Sequence, residues 1–229
     1  MKLLNLDDLE QSSIVANSLM NRERNVAGTN SYQKDLRFDV LNFITTELSR
    51  KPTMSWLDLC CGTGRALLQS AQKLNEAGWA EKVSLVGVDL VDGFFPKPES
   101  FYFLELVPAS LTNWQPAQPF DLITCVHGLH YIGDKLDVVS RMASWLATDG
   151  MFLANLDLNN IKLDQPRLSN RYLISLLTNK GLHYDARRKI LTCTGQKHIS
   201  FELIFLGADD QAGPNYTRQP AVNSWYRSI

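Results

Sequence analysis

Trp56-Leu57-Asp58-Leu59-Cys60-Cys61-Gly62-Thr63-Gly64-Arg65-Ala66-Leu67-Leu68 reads as a strand, a glycine turn and the start of a helix in immediate succession. Two glycines at that point let the backbone turn tightly and approach a ligand closely, with the first N–H groups of the helix directed at it. A phosphate-binding P-loop ends in Gly-Lys-Ser/Thr, and Gly64-Arg65-Ala66 does not supply that ending. A dinucleotide fold wants a third small residue for close helix–strand packing; this chain has Leu67 there, whose bulk argues against NAD. One helix further on, Val83–Leu90 (VSLVGVDL) reads as a second buried strand with Asp89 near its end. A carboxylate in that place accepts hydrogen bonds from the ribose hydroxyls of an adenosine held at the glycine loop.

Outward from this pair the chain alternates strand and helix. Met54–Leu59, Phe101–Val107, Phe120–Val126 and Met151–Leu156 are short, nearly continuous apolar runs, as a parallel sheet covered on both faces demands. Residues 63–77 and Leu136–Leu146 carry apolar side chains at helical spacing, and Gly78 closes the first of these helices. Residues 6–20 and the stretch around Leu41, Ile44 and Leu48 predict two further helices before the sheet, joined by the polar segment 21–35. Beyond the sheet, Leu168–Lys180 predicts a helix stopped by Gly181. Ile190–Thr194 and Ile199–Leu206, flanking Gly195-Gln196-Lys197, read as an antiparallel hairpin. Residues 207–229 are rich in turn formers and are expected to lie over the domain as a tail.

The 229 residues carry 23 Lys+Arg against 24 Asp+Glu, a formal net charge of −1 that gives no general attraction to nucleic acid or acidic membranes. Cys60, Cys61, Cys125 and Cys193 form no CxxC pair, which argues for a reducing, cytoplasmic setting and against a zinc ribbon or a secreted scaffold. Asp7 and Asp8 interrupt any signal-peptide apolar core, and no window approaches the roughly twenty apolar residues of a membrane span. No repeat, low-complexity tract or linker divides the chain. It is read as one domain over residues 1–229: an N-terminal helical lid (1–52), an α/β core (53–207) and a tail (208–229).

LDLCCGTG (57–64), GVDL (87–90), PASLTNW (108–114), PFDLITCVHGLHYI (119–132) and TDGMFLANL (148–156) together resemble the successive motifs of the class I S-adenosylmethionine (SAM)-dependent methyltransferases. The resemblance covers about residues 54–157. It implies a doubly wound, seven-stranded, mostly parallel α/β sheet ending in an antiparallel hairpin, with SAM across the carboxyl ends of the first four strands. It further implies that Gly62 and Gly64 approach the methionine and ribose parts of the cofactor, with Cys60 in the same loop. Asp58 orients that loop or reaches the SAM ammonium through water; Asp89 holds the ribose diol; Leu90 packs on adenine; Ser110 and Leu111 line the adenine edge. The family often has an Asp just before this last pair, where Ala109 and Ser110 stand here.

His127-Gly128-Leu129-His130-Tyr131 follows the fourth strand at the carboxyl edge of the sheet. A histidine there removes a proton from an acceptor near neutral pH, or only shapes the cofactor pocket; His127 is nearer the strand end than His130. HxxH without a third nearby ligand lacks the set of a zinc site, so no metal is expected. In the segment before the first strand, Arg22 or Arg24 forks onto a carboxylate of the acceptor or of SAM. Tyr32 closes over the reacting methyl group or hydrogen-bonds the same carboxylate, and Tyr131 faces the acceptor. The alternative for this segment is a solvated connection between helices. Arg187-Arg188-Lys189 is read as the charged protection of a strand edge.

The function expected is methyl transfer from SAM, leaving S-adenosylhomocysteine (SAH), to a small molecule or short peptide, on oxygen or nitrogen. CVHGLHY (125–131) stands where DNA-adenine and glutamine-amide enzymes have Asn-Pro-Pro-Tyr, which argues against those acceptors. The rival readings are a SAM-binding regulatory module without transfer activity and a nucleotide-dependent oxidoreductase. No nucleic-acid or membrane partner is expected, and the chain is expected to be a monomer or homodimer.

Overall fold

The computed structural model describes residues 2–16, 23–165 and 170–228. Its main sheet contains β1 (Met54–Leu59), β2 (Val83–Asp89), β3 (Leu104–Pro108), β4 (Phe120–Cys125), β5 (Leu146–Asn155), β7 (His183–Asp185) and β8 (Ile190–Thr194). They lie in the order β3-β2-β1-β4-β5-β8-β7. The first five are parallel, β8 runs antiparallel to β5, and β7 runs antiparallel to β8. Seven strands and a doubly wound α/β arrangement match the expectation from sequence.

Alternation along the strands divides the core into two layers. Trp56, Leu85, Leu122 and Leu153 face a cluster that includes Val40, Ile44 and Leu48 of α4 (Val40–Leu48). The same cluster takes in Ala66, Leu67, Ala71 and Leu74 of α5 (Arg65–Glu76). Leu57, Leu59, Val86, Ile123 and Phe152 face the other side, with Val139 and Met142 of α6 (Lys135–Ser144) and Leu173 and Leu177 of α7 (Asn170–Asn179). The bulky Leu67 is accommodated because Gly87 stands opposite it in β2, where an added Cβ would lie 2.5 Å from Leu67 Cδ1. The small residue that lets helix and strand close up is on the strand instead of the helix.

Several boundaries move. The N-terminal helix expected over 6–20 is two short pieces in the described residues, α1 (Leu6–Glu10) and α2 (Ser13–Ala16); a further helix, α3 (Tyr32–Leu36), falls inside the segment read as polar connection. The third strand begins at Leu104, three residues after the expected Phe101, and β5 begins at Leu146 through an irregularity opposite Phe120/Leu122.

The expected hairpin around Gly195 is corrected. β8 pairs instead with β7, through a turn in which Asp185 accepts from the N–H groups of Arg187 and Arg188. The basic run is therefore a turn, not a protected edge. Past β8 the chain cannot fold straight back, because Gly195 N–H is bonded to Gly150 O at 2.7 Å and Lys197 N–H to Ala143 O at 3.0 Å. It continues into a second sheet of order β6-β10-β9, built from β6 (Ile161–Leu163), β9 (Leu203–Asp209) and β10 (Asn223–Ser228). The segment expected to be an irregular tail thus supplies the central strand of that sheet.

Candidate functional site

A cavity of about 220 Å³ opens at the carboxyl ends of β2, β1 and β4. Its floor is the loop after β1, where Cys60, Gly62 and Gly64 all take positive φ (55°, 61° and 73°), the turn the two glycines were expected to supply. Asp89, at the end of β2 and 9% exposed, reaches the cavity wall. Its carboxylate accepts from Gly62 N–H at 2.8 Å and from Val91 N–H at 3.1 Å, so the loop and the acid orient each other. Leu90, Ala109, Leu111 and Thr112 continue the wall on this side. Arg141 of α6 clamps the loop after β3 by donating to the carbonyls of Leu111, Thr112 and Trp114.

At the β4 end, His127 sits at φ 60°, an uncommon conformation for a side chain of this size, and its N–H is held by Asn155 Oδ1 at 3.3 Å. The imidazole is 8% exposed and lines the cavity beside Val126, Gly128 and Tyr131. Its Nε2 lies 3.5 Å from Asp35 Oδ2, and its Nδ1 lies 3.4 Å from Nε2 of His130. Asp35 Oδ2 also meets Arg24 Nη1 at 2.6 Å. Burial alone would raise the Asp35 carboxyl, but the His127 hydrogen bond and the Arg24 charge outweigh it and hold it below the usual range. His130 is 1% exposed, and burial, followed by the charges of His127, Lys135 and Arg24, pushes it well below the usual histidine range. The Tyr216 ring packs against both imidazoles, with centroids 6.1 Å from His127 and 5.4 Å from His130.

Of the residues singled out in sequence, Arg24, Tyr32, Cys60, Gly62, Asp89, Leu90, Leu111, His127 and Tyr131 meet around the cavity. Gly64, Asp58, Ser110 and His130 stand behind its wall, and Arg22 lies outside the described residues. Asp58 is fully buried, with Oδ2 accepting from Tyr32 Oη and Oδ1 from Thr124 Oγ1, both at 2.6 Å. Burial outweighs these two bonds and, with the nearby Asp89 charge, raises its carboxyl to about 7. In this arrangement Asp58 ties α3 to β1, with the Tyr32 hydroxyl donating to it. The Ser110 hydroxyl is taken by Glu10 Oε1 at 2.5 Å. For Cys60, the hydrogen bond with Cys125 and burial push the thiol up, away from nucleophilic character.

The chain ends complete the enclosure. Leu6, Leu9, Glu10 and Val15 form one wall, and Gln219 enters from the C-terminal segment, where its Oε1 accepts from Tyr131 Oη at 3.4 Å. The wall from Ile132 to Val138 is held from behind by β10: Tyr226 Oη donates to Asp134 Oδ1 at 2.9 Å and accepts from Leu136 N–H at 3.0 Å. Lys135 is completely buried, its Nζ donating to Ile132 O, Val222 O and Ser224 Oγ. None of Asp35, Asn155, Arg141, Lys135 or Gln219 was singled out as a site residue from sequence.

The donor set fits SAM. The acid and apolar wall on the β2 side suit a ribose diol and an adenine ring, and the glycine loop brings backbone N–H groups to the cavity floor. Among the described residues, no cluster of three His, Cys, Asp or Glu side chains is placed to hold a metal ion.

Residues 31–193 match the family model described as "Methyltransferase domain". The chain belongs to this methyltransferase family. The matched span runs from Ser31 to Cys193 and leaves both cavity-closing ends outside it. Among solved structures, the methyltransferase chain is similar to the N-methyltransferase NodS from Bradyrhizobium japonicum WM9 in complex with SAH. The identity is 14%, over 84% of this chain and 97% of that one, with a TM-score of 0.43. It is also similar to the plantazolicin methyltransferase BpumL with a monoazolic desmethylPZN analog and SAH (17% identity, 54% and 48% of the two chains, TM-score 0.40). Coclaurine N-methyltransferase bound to N-methylheliamine and SAH is a third (14%, 67% and 48%, TM-score 0.43). The chain spans about half the length of the first two enzyme types found, BpumL and the coclaurine enzyme. No curated protein matches it in sequence. No helix among the described residues is long and apolar enough to cross a membrane.

Proposed function

We propose that this methyltransferase transfers a methyl group from SAM to an oxygen or nitrogen of a small molecule or short peptide. The observation that carries the proposal is the cavity itself: Asp89, the glycine loop and His127 line it in the strand order β2, β1, β4. SAM, when bound, supplies an electrophilic methyl group on a good leaving group, so the protein's share is positioning, dehydration and disposal of a proton. Asp89 holds the ribose diol, Leu90 and Leu111 flank the adenine, and the Gly62 backbone approaches the methionine part. His127 accepts the proton that an acceptor O–H or N–H releases. Arg24 is held by Asp35 beside the acceptor, with Tyr131 opposite. The near-zero net charge and a cavity closed by side chains from both chain ends favour a small acceptor over a nucleic acid.

In this reading residues 1–52 act as a lid on the α/β core, and 208–229 close the acceptor side. Four free cysteines suit a reducing cytoplasm. No observation favours a regulatory module without turnover. Titration calorimetry with SAM, SAH and NAD tests the cofactor: SAM and SAH bind and NAD does not, whereas NAD binding without SAM binding overturns the reading. Incubation with SAM and pooled metabolites and peptides then yields products heavier by one methyl group. Cofactor binding with no such product would turn the assignment to the regulatory module.

A further inference from the structure

Glu10, from the N-terminal helix α1, meets the loop after β3 across 100 residues of sequence. Its Oε1 accepts from Ser110 Oγ at 2.5 Å and from Thr112 Oγ1 at 3.0 Å. Ser110 Oγ itself accepts from Thr112 N–H at 3.0 Å, so its own hydrogen is directed at the carboxylate. Two hydroxyls thus fix one oxygen of Glu10, while Oε2 has no hydrogen-bond partner among the described residues. The side chain is half-buried and lines the cavity together with Leu90, Ala109, Leu111 and Thr112, the wall suited to an adenine ring. The helix is seated there from two further directions. Leu4 is paired with Ala208 through two backbone bonds, and Leu6 and Leu9 pack on Gly133, where an added Cβ would lie 2.5 Å and 2.9 Å from them.

A purine against this wall buries its faces on aliphatic side chains, and a polar edge left without partners costs affinity. Adenine presents an amino group at its outer edge, whose N–H bonds ask for an acceptor. A carboxylate oxygen fits that edge and repels a carbonyl placed there. Besides Asp89, which the ribose takes, Asp134 and Asp137 also line the cavity. Asp134 Oδ1 is taken by Tyr226 Oη and by Asp137 N–H, and Asp137 is exposed opposite Arg141 at 3.6 Å. We propose that Glu10 Oε2 accepts a hydrogen bond from the exocyclic amino group of the SAM adenine, so that the bound nucleoside fastens α1 over the cavity. The inference rests on the methyl-transfer reading and adds base recognition to it. Glu10 is a binding residue for the nucleoside and takes no part in the transfer step. Because Leu6 and Leu9 of the same helix line the cavity, contact with the base and closure of that wall are one event.

The test is titration calorimetry of the full chain with SAH and with S-inosylhomocysteine, in which a carbonyl and a ring N–H replace the adenine amino group and ring nitrogen. The wild-type protein is expected to bind SAH about tenfold or more tightly than the inosyl analogue, the scale of one hydrogen bond to a charged group. Glu10→Gln keeps an amide oxygen for the Ser110 and Thr112 hydroxyls and offers an N–H donor in place of Oε2. It is expected to weaken SAH about tenfold and to bind the inosyl analogue at least as tightly as SAH, whereas a merely structural role would weaken both ligands alike. SAH is also expected to slow hydrogen exchange of the α1 amides in the wild-type protein, and the inosyl analogue to slow it less. Equal affinity of the wild-type protein for the two ligands, a preference that survives Glu10→Gln within about twofold, or α1 exchange that SAH leaves unchanged overturns the proposal. If Glu10→Gln does not fold, the wild-type preference and the α1 exchange decide the matter. A wild-type protein that binds neither ligand overturns the methyl-transfer reading instead.

Discussion

The strands around the glycine loop and the two ends of the chain reach the same cavity by different physics. β1, β2 and β4 are placed by apolar alternation and backbone ladders: Trp56, Leu57 and Leu59 are fully buried, and β1 is paired on both sides. The ends are placed by individual side-chain bonds. Glu10 holds Ser110 and Thr112, Arg24 and Asp35 hold His127, and Lys135 and Asp134 hold β10. Burial spread over many side chains is cooperative and expensive to disturb, whereas single polar ties contribute about 1 kcal/mol each and are easily altered. The floor of the cavity therefore sits on the stiff part, and the walls contributed by the two ends of the chain on the part that can vary without loss of the fold.

The sharpest way to break this contrast is Trp56→Ala. The indole is completely buried and donates to Thr124 Oγ1 at 2.8 Å, so the expected loss is about 4 kcal/mol in urea unfolding. A loss under about 1 kcal/mol would mean that the strand layer is not the stiff part.

Next in size is a pH dependence. Asp58 has its carboxyl raised to about 7 by burial, so the native state binds its proton more tightly than the unfolded chain does. Its contribution is fully present below the ordinary carboxylate range and is lost as pH rises toward and through 7. Asp58→Asn should flatten the fall in stability between about pH 4 and 7, measured by thermal unfolding across that window. An unchanged slope would detach Asp58 from the anchor between α3 and β1.

Asp89→Ala should weaken SAH binding by about 2 kcal/mol, roughly thirtyfold, in calorimetry, and should also lower the unfolding free energy by about 1–2 kcal/mol, because Gly62 and Val91 N–H lose their acceptor. Unchanged affinity would remove Asp89 from the site. The smallest effect belongs to the chain end: Glu10→Ala removes the acceptor of Ser110 and Thr112 and should cost about 1 kcal/mol. Its readout is faster hydrogen exchange of the α1 amides with no change in the β1 amides. Exchange that speeds up equally in both would merge the two regions into one cooperative unit.

Legibility in sequence follows the same division. Asp89 was readable because its position depends only on the length of a strand and on a glycine loop one helix away. His127 was readable for a similar reason, at the end of an apolar run. Asp35 was not, since it looks like any acid in a polar segment until folding sets it against an imidazole. Glu10 and Ser110 stand 100 residues apart, and no local pattern announces that they meet. The expected hairpin failed because Gly195 looks like a turn former in isolation, while the bonds from Gly195 to Gly150 and from Lys197 to Ala143 carry the chain elsewhere. β10 was hidden because Asn223, Ser224, Trp225 and Tyr226 mix polar and aromatic side chains that become a strand only between β6 and β9.

The sequence by itself determined the parallel sheet, the glycine loop, the acid at the end of β2 and the histidines after β4. Each of these is written in short-range periodicity and turn chemistry, which the backbone obeys locally. Only the tertiary structure decided that Asp58 serves Tyr32 and Thr124, that Asp35 and His130 flank His127, and that both ends of the chain close the cavity. Those are meetings between side chains far apart in sequence. They depend on how twisted strands and packed helices bring distant residues within hydrogen-bond reach, which composition and spacing do not encode.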